Sequence, residues 1–268
     1  MAKADSAASA PPQFLQLAAH PVRWQLLGEL ARSDRRVREL VELVDQPQNL
    51  VSYHLRLLRD GGLVRARRSS HDGRDSYYHL DLERCADGLS HVGAALHPWL
   101  QAAPTPPRVA VGAPRILFVC TGNSARSPIA EALLRHLAGD RVTVASAGTS
   151  PKDRIHPHAV RVLHERYGID IRDQAPRSIA DVAGPGHGFD RVITVCDKAR
   201  EHLPARITRH RAHWSVRDPA GARGPGDYST FVSISTDIDT RVRQLIPTLG
   251  ATATPAPSQS DTGGRPHE

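Results

Sequence analysis

Hydrophobic positions in the first hundred residues recur at helical spacing and then switch to a short β pattern. Phe14, Leu17, Trp24, Leu26, Leu27 and Leu30 predict a helix over 13–32, bent at Pro21. Val37, Leu40, Val41 and Val44 mark a short second helix. Asp45-Gln46-Pro47 is a turn whose proline is placed to begin the next helix. That helix, over 48–59, sets Leu50, Val51, His54, Leu55 and Leu58 on or near its buried face, and Gly61-Gly62 ends it. Two strands follow, over 63–67 and 76–80, joined by a turn containing Asp72-Gly73, a strong hairpin signal. A last helix over 82–99 carries Leu82, Leu89, Val92, Leu96 and Trp99.

From 115 to 248 the pattern changes: short β-rich runs alternate with helical stretches. Between the two regions, 101–114 holds four prolines and no apolar period, which makes a stiff, extended linker. The organisation expected is a disordered start (1–12), a helical domain (13–100), the linker (101–113), an α/β domain (114–250) and a disordered tail (251–268). No apolar run approaches the ~18 residues of a spanning helix, so no membrane partner is expected. Residues 1–12 are rich in Ala, Ser and Pro and lack the apolar core of a secretory signal.

Composition adds three constraints. The chain has 268 residues, which suits two ordinary domains. Aromatic residues are only 4%, so the cores rest mainly on Leu, Val, Ile and Ala. Three widely separated cysteines, Cys85, Cys120 and Cys196, form neither a disulfide scaffold nor a CxxC metal site, and suit a reducing cytoplasm. The net charge of +7 divides into +1 over 1–103 and +6 over 104–268, so overall charge does not locate a nucleic-acid site and local patterning must.

Two short helices, a tight turn, a second helix ended by glycine and a basic hairpin follow the order of a winged helix-turn-helix. Its second helix would enter the major groove with Gln48, Asn49, Ser52, Tyr53 and Arg56 on the outer face. Gln and Asn pair with adenine, Arg with guanine, and Ser or Tyr with phosphate. Arg65, Arg67, Arg68 and Arg74 of the hairpin suit phosphates or the minor groove, and 48–74 holds six Arg against two Asp. The string VSYHLRLLRDGGLV (51–64), followed by Arg67-Arg68 and by SYYHL (76–80), resembles the recognition helix and wing of the ArsR/SmtB repressors over about 13–100. That resemblance implies a double-stranded DNA operator as partner. It also implies a homodimer paired through the terminal helices, with Trp24, Leu96 and Trp99 as candidates. Arsenic-sensing members carry two cysteines on the first helix of the motif; here Val41 and Leu43 stand in their place, so that thiolate site is absent and no metal site is expected.

The second region opens with the apolar strand RILFVC (115–120), then TGNSARSP (121–128), then an amphipathic helix over 129–137. Strand, loop and helix with Cys120 first and Arg126 sixth after it make an oxyanion-binding design. Backbone N–H groups of Thr121, Gly122, Asn123, Ser124, Ala125 and Arg126 encircle a tetrahedral anion, and the helix start adds partial positive charge. The Arg126 fork bonds two oxygens. The same field favours Cys120 as a thiolate nucleophile. Gly122 permits close backbone approach, Asn123 suits a left-handed turn, and Ser127 can donate to the thiolate. This region resembles the low-molecular-weight protein tyrosine phosphatase superfamily, which includes thioredoxin-coupled arsenate reductases. Besides the loop, SAGT (146–149), DRVITVCD (190–197) and Asp218-Pro219 carry the resemblance, which spans about 114–248. It implies a doubly wound α/β fold with a parallel sheet, Cys120 as nucleophile, Arg126 and the loop amides on the equatorial oxygens, and Asp218 as the acid that protonates the leaving oxygen.

Phosphotyrosine phosphatases of that family place tyrosines after the Asp-Pro; here Ala220, Gly221 and Ala222 follow. HWSVRDPA (213–220) and VCDKA (195–199) look more like arsenate reductases, and Cys196 aligns with their second thiol. Their third thiol would fall near Leu203 and is missing, which leaves two routes: a reductant from outside, a low-molecular thiol or a thioredoxin-like protein, completes the cycle, or reduction does not occur; no other cofactor is expected. Three readings stand. The first is an ArsR-type regulator with a fused arsenate-reductase-like enzyme, cytoplasmic and dimeric, acting on arsenate or phosphate. The second is a regulator whose second domain only senses an oxyanion. The third is a phosphatase whose helical domain serves for dimerisation.

Overall fold

The computed structural model describes residues 10–97, 100, 113–182, 188–203, 210–219 and 227–249. The linker, the tail, Trp99 and Ala220 to Ala222 lie outside the described residues.

The first domain is built from α1 (Gln13–Ala18), α2 (Pro21–Arg32), β1 (Arg35–Arg36), α3 (Val37–Val44), α4 (Gln48–Asp60), β2 (Val64–Arg68), β3 (Ser76–Leu80) and α5 (Leu82–Leu96). The expected single helix over 13–32 is two helices. His20 is extended, and its Nδ1 accepts from the Val22 N–H, so Pro21 begins a new helix where a bend was expected. Asp45 ends α3 with φ 49°, in the left-handed region. The hairpin pairs Val64 with Leu80 through Arg68 with Ser76, and β1 adds a third strand against Tyr77 and Tyr78 that the sequence pattern did not reveal. Leu26, Leu40, Val51, Leu55 and Leu58 are fully buried between α2, α3 and α4. Leu50 is only half-buried. The last helix stops at Leu96 rather than running to 99, and Trp24 and Leu96 remain 65% and 72% exposed.

The second domain is a four-stranded parallel sheet of order β5-β4-β6-β7, comprising β4 (Arg115–Cys120), β5 (Thr143–Gly148), β6 (Arg191–Thr194) and β7 (Arg211–His213). The chain leaves β4 to form β5 on one side and then crosses to β6 on the other. The carboxyl end of β4 is therefore the point where the strand order reverses, the place where such sheets bind ligands. The helices are α6 (Arg126–Ala138), α7 (Pro157–Tyr167), α8 (Ile179–Val182), α9 (Asp197–His202) and α10 (Tyr228–Leu245). Both faces of β4 are covered, so Ile116, Leu117, Phe118 and Val119 are all buried, as a central parallel strand requires.

The two domains touch. The Asp34 carboxylate, buried just before β1, accepts from the Ser215 N–H at 2.8 Å and pairs with Arg241 of α10 at 3.2 Å. Glu201 of α9 pairs with Arg36 at 2.8 Å, and the Tyr77 ring lies 4.7 Å from that of His213.

Candidate active site and DNA-facing surface

Cys120 ends β4 with its sulfur buried at the switch point. The loop after it is shaped from outside. The carbonyls of Cys120, Thr121, Gly122 and Ser124 accept from the N–H groups of Thr149, Ser150, Lys152 and His156 at 2.8–3.1 Å. In a planar trans peptide the next N–H points opposite to the carbonyl. Carbonyls bound outward therefore turn the N–H groups of residues 121, 122, 123 and 125 inward, around one point. The Asn123 N–H makes that direction visible, donating to Cys120 Sγ at 3.2 Å. Asn123 itself has φ 44°, the left-handed conformation expected of it. Its amide nitrogen donates to Ser127 Oγ at 2.9 Å and Ser146 Oγ at 2.8 Å, while its oxygen accepts from the Arg177 N–H at 2.7 Å.

The glycine that close packing demands is Gly148 rather than Gly122. A Cβ at Gly148 would stand 2.7 Å from the Thr121 carbonyl oxygen and 3.0 Å from the Asn123 nitrogen, both immovable backbone. One at Gly122 would meet only the Lys152 side chain, at 3.2 Å. The SAGT string held this signal, because Gly148 is the last residue of β5, paired with Cys120.

Arg126 opens α6, buried, with one guanidinium nitrogen donating to the Val216 carbonyl at 3.2 Å and another 3.4 Å from the Asp218 carboxylate. Ser127 Oγ lies 3.0 Å from Cys120 Sγ. Ser124 is buried, and Thr121, Gly122 and Ala125 line the loop half-buried. The Cys120 sulfur, the loop amides, the Arg126 guanidinium and the Asp218 carboxylate thus converge at one end of the sheet.

Cys196 follows β6 as the N-cap of α9, its sulfur accepting from the Ala199 N–H at 3.3 Å and lying 3.3 Å from Thr121 Oγ1. Burial pushes its thiol up, and neighbouring Cys120 adds to this against the opposing pull of Arg126. Cys85 is a buried residue of α5, far along the chain from this loop, and burial together with Asp81 raises its thiol to about 11. Asp197, next to Cys196, was not singled out in the sequence. Burial alone would raise its carboxyl, yet bonds from His213, Ser215 and Ser70 outweigh that and hold it below the usual range. Burial pulls His213 down against the opposing bond from Asp197; its Nε2 lies 3.1 Å from the Asp197 carboxylate, and its Nδ1 lies 2.8 Å from Thr194 Oγ1 and 3.2 Å from the Thr194 carbonyl oxygen. Among the described residues no group of three or more His, Cys, Asp or Glu is placed to hold a metal ion, and no helix is long and apolar enough to cross a membrane.

On the first domain, Gln48, Asn49, Tyr53 and Arg56 are exposed on α4, and Ser52 is half-buried. Arg68 and Arg74 are exposed at the hairpin. Arg67 is half-buried and donates to Ser215 Oγ of the second domain at 2.5 Å. Its strand neighbour Arg68 points the other way because side chains alternate along β2.

A family model for the low molecular weight phosphotyrosine protein phosphatases matches residues 115–254, and one for bacterial regulatory proteins of the arsR family matches 20–66. An arsenate reductase of Bacillus licheniformis is 35% identical over 138 residues, spanning 50% of this chain and 95% of that protein. One of Brevibacillus brevis is 36% identical over 135 residues, spanning 50% and 94%. A solved structure described as an arsenate reductase in the phosphate binding state is 28% identical, covers 51% of this chain and 98% of that one, and has a TM-score of 0.45. The chain therefore belongs to the low molecular weight phosphotyrosine protein phosphatase family, with an arsR-family helix-turn-helix ahead of that domain.

Proposed function

We propose that the chain is a DNA-binding regulator of arsR type whose second domain reduces arsenate, with Cys120 as nucleophile and Cys196 as the second thiol. The observation that carries the reading is the placement of Cys196: its sulfur reaches Thr121 of the anion loop and lies close enough for Cys120 to influence it. A hydrolytic phosphatase has no use for a second thiol there. The 35% and 36% identical relatives named as arsenate reductases support the same choice of oxyanion.

The chemistry runs in three steps. The Cys120 thiolate attacks arsenic, an S–As bond forms, and the departing oxygen takes a proton from Asp218 and leaves as water. The loop amides and Arg126 hold the remaining oxygens. The Cys196 thiolate then attacks Cys120 sulfur. An S–S bond forms, the S–As bond breaks, and its electron pair stays on arsenic, taking As(V) to As(III) as arsenite departs. Two thiols of an external low-molecular or thioredoxin-like reductant return the disulfide to Cys120 and Cys196 and are themselves oxidised to a disulfide. Outside supply is needed because Leu203 stands where a third thiol would be and Cys85 is buried in the other domain.

Arsenite release from arsenate, measured with glutathione or thioredoxin added, tests this. Wild type should turn over, Cys120→Ser should not, and Cys196→Ser should release no arsenite while still binding arsenate. Hydrolysis of an aryl phosphate without arsenate reduction, unaffected by Cys196→Ser, would move the assignment to a phosphatase.

A further inference from the structure

The wing meets the catalytic domain at two residues that each adjoin the anion site. The Ser70 N–H and Oγ both donate to one oxygen of Asp197, at 2.7 and 2.9 Å, and Asp197 is the residue after Cys196. Arg67 donates to Ser215 Oγ, and Ser215 precedes Val216, whose carbonyl holds Arg126. Two further pairs clasp the domains beside these contacts: Glu201 with Arg36 at 2.8 Å, and Arg241 with buried Asp34 at 3.2 Å.

We propose that this contact is an intramolecular mask: the catalytic domain holds the wing through Ser70 and Arg67 and so withholds Arg67 from DNA phosphate. The inference rests on the reading of 20–66 as a DNA-binding segment. Arg67 is the wing arginine whose side chain is turned into the interface, whereas Arg68 and Arg74 stay exposed. A duplex reaching Arg67 has to take the place that Ser215 occupies. While the wing stays docked, DNA is therefore held without Arg67, and loosening the docking adds one phosphate contact to the complex.

The clasp can be loosened without touching either site. Glu201→Ala and Arg241→Gln together remove one negative and one positive charge, leave the winged helix unaltered, and strand Asp34 without its ion-pair partner. Binding of the full chain to a mixed-sequence 30-base-pair duplex is measured as a function of salt, with hydrogen exchange over residues 64–80 as the readout of docking. The double variant should show faster exchange, a salt slope steeper by about 0.9 and binding roughly tenfold tighter at 50 mM salt, the effect of one added phosphate contact. Arg67→Ala should leave the slope unchanged in the otherwise wild-type chain and lower it by about 0.9 in the double variant. If the double variant does not fold, Glu201→Ala alone should shift exchange and slope in the same directions by less. Faster exchange with an unchanged slope overturns the mask, as does unchanged exchange in a folded variant. A slope already lowered by Arg67→Ala in the wild-type background overturns it too. A chain that binds the duplex in none of these forms removes the DNA-binding reading itself, and the mask with it.

Discussion

Ser127 holds its hydroxyl 3.0 Å from the sulfur of Cys120, and the Asn123 amide fixes it there from 2.9 Å. A hydroxyl so placed stabilises negative charge on sulfur when Cys120 leaves the Cys120–Cys196 disulfide as a thiolate. Ser127→Ala should slow the step that regenerates the thiolate by about 10²–10³, the effect of losing one donor to a developing charge. Arsenate binding should change little. Turnover with the external thiol limiting checks this by showing that the Cys120–Cys196 disulfide accumulates more than it does in the wild type.

Arg126 contributes two donors in a fixed fork. Phosphate or arsenate in the loop should protect Cys120 from iodoacetamide in the wild type, and Arg126→Ala should abolish protection. Arg126→Lys should restore little of it, because an ammonium cannot reproduce the paired geometry. Mass spectrometry of the alkylated peptide, with and without anion, gives the outcome.

Gly148→Ala places a methyl group 2.7 Å from the Thr121 carbonyl oxygen. Overpacking of this kind costs about 1–3 kcal/mol. Thermal unfolding of the second domain should record that loss, and Cys120 chemistry should fall with it, because the methyl group pushes on the loop that aims the amides. Gly122→Ala should be much milder, since only the Lys152 side chain has to move.

The depressed carboxyl of Asp197 gives a pH signature with a definite sign. A carboxyl held below its unfolded value stabilises the fold fully above ~3.9, and that contribution is lost as pH falls through the folded value. Domain docking monitored by exchange at Ser70 should therefore be constant from pH 7 to about 5 and weaken below about 4. In Asp197→Asn the acid step should shrink, and docking should already be weaker at pH 7 because the neutral amide keeps only one of the two oxygens that accept from Ser70 on one side and from Ser215 and His213 on the other.

Arg56 is exposed on the outer face of α4. On an operator selected from random sequence, Arg56→Ala should weaken binding by about 1–3 kcal/mol and relax preference at one position, if its fork reads a base. A uniform loss across sequences would instead assign it to phosphate.

Local signals in the sequence were strong where structure depends on neighbours along the chain. The apolar run 115–120, the Cys120 to Arg126 spacing and the helix behind it mark strand, loop and helix from the local sequence, although residues 149–156 give the loop its shape, and β3 spans the residues its alternation predicts. Signals failed where a distant partner or a side-chain cap decides. The break between α1 and α2 depends on the His20 ring capping Val22, a role that histidine seldom plays. Two residues of β1 are too short for any period to register. Arg67 reads as one more basic wing residue because its acceptor, Ser215, lies 148 positions away. The demand on Gly148 comes from the backbone of a neighbouring strand's loop, which becomes visible only once β4 and β5 are paired.

The Asp34–Arg241 clasp also sets an order in time. Its two residues are 207 positions apart, with Arg241 in the last described helix. At ~5–20 residues per second, Asp34 is synthesised roughly 10–40 seconds before its partner exists. A helix-turn-helix can fold in far less than that. During its own synthesis the wing is therefore formed and unclasped, and the Asp34–Arg241 pair closes only once the final helix is made. Chains stalled before and after residue 241 should differ in hydrogen exchange over the wing, and the difference should narrow in Arg241→Gln.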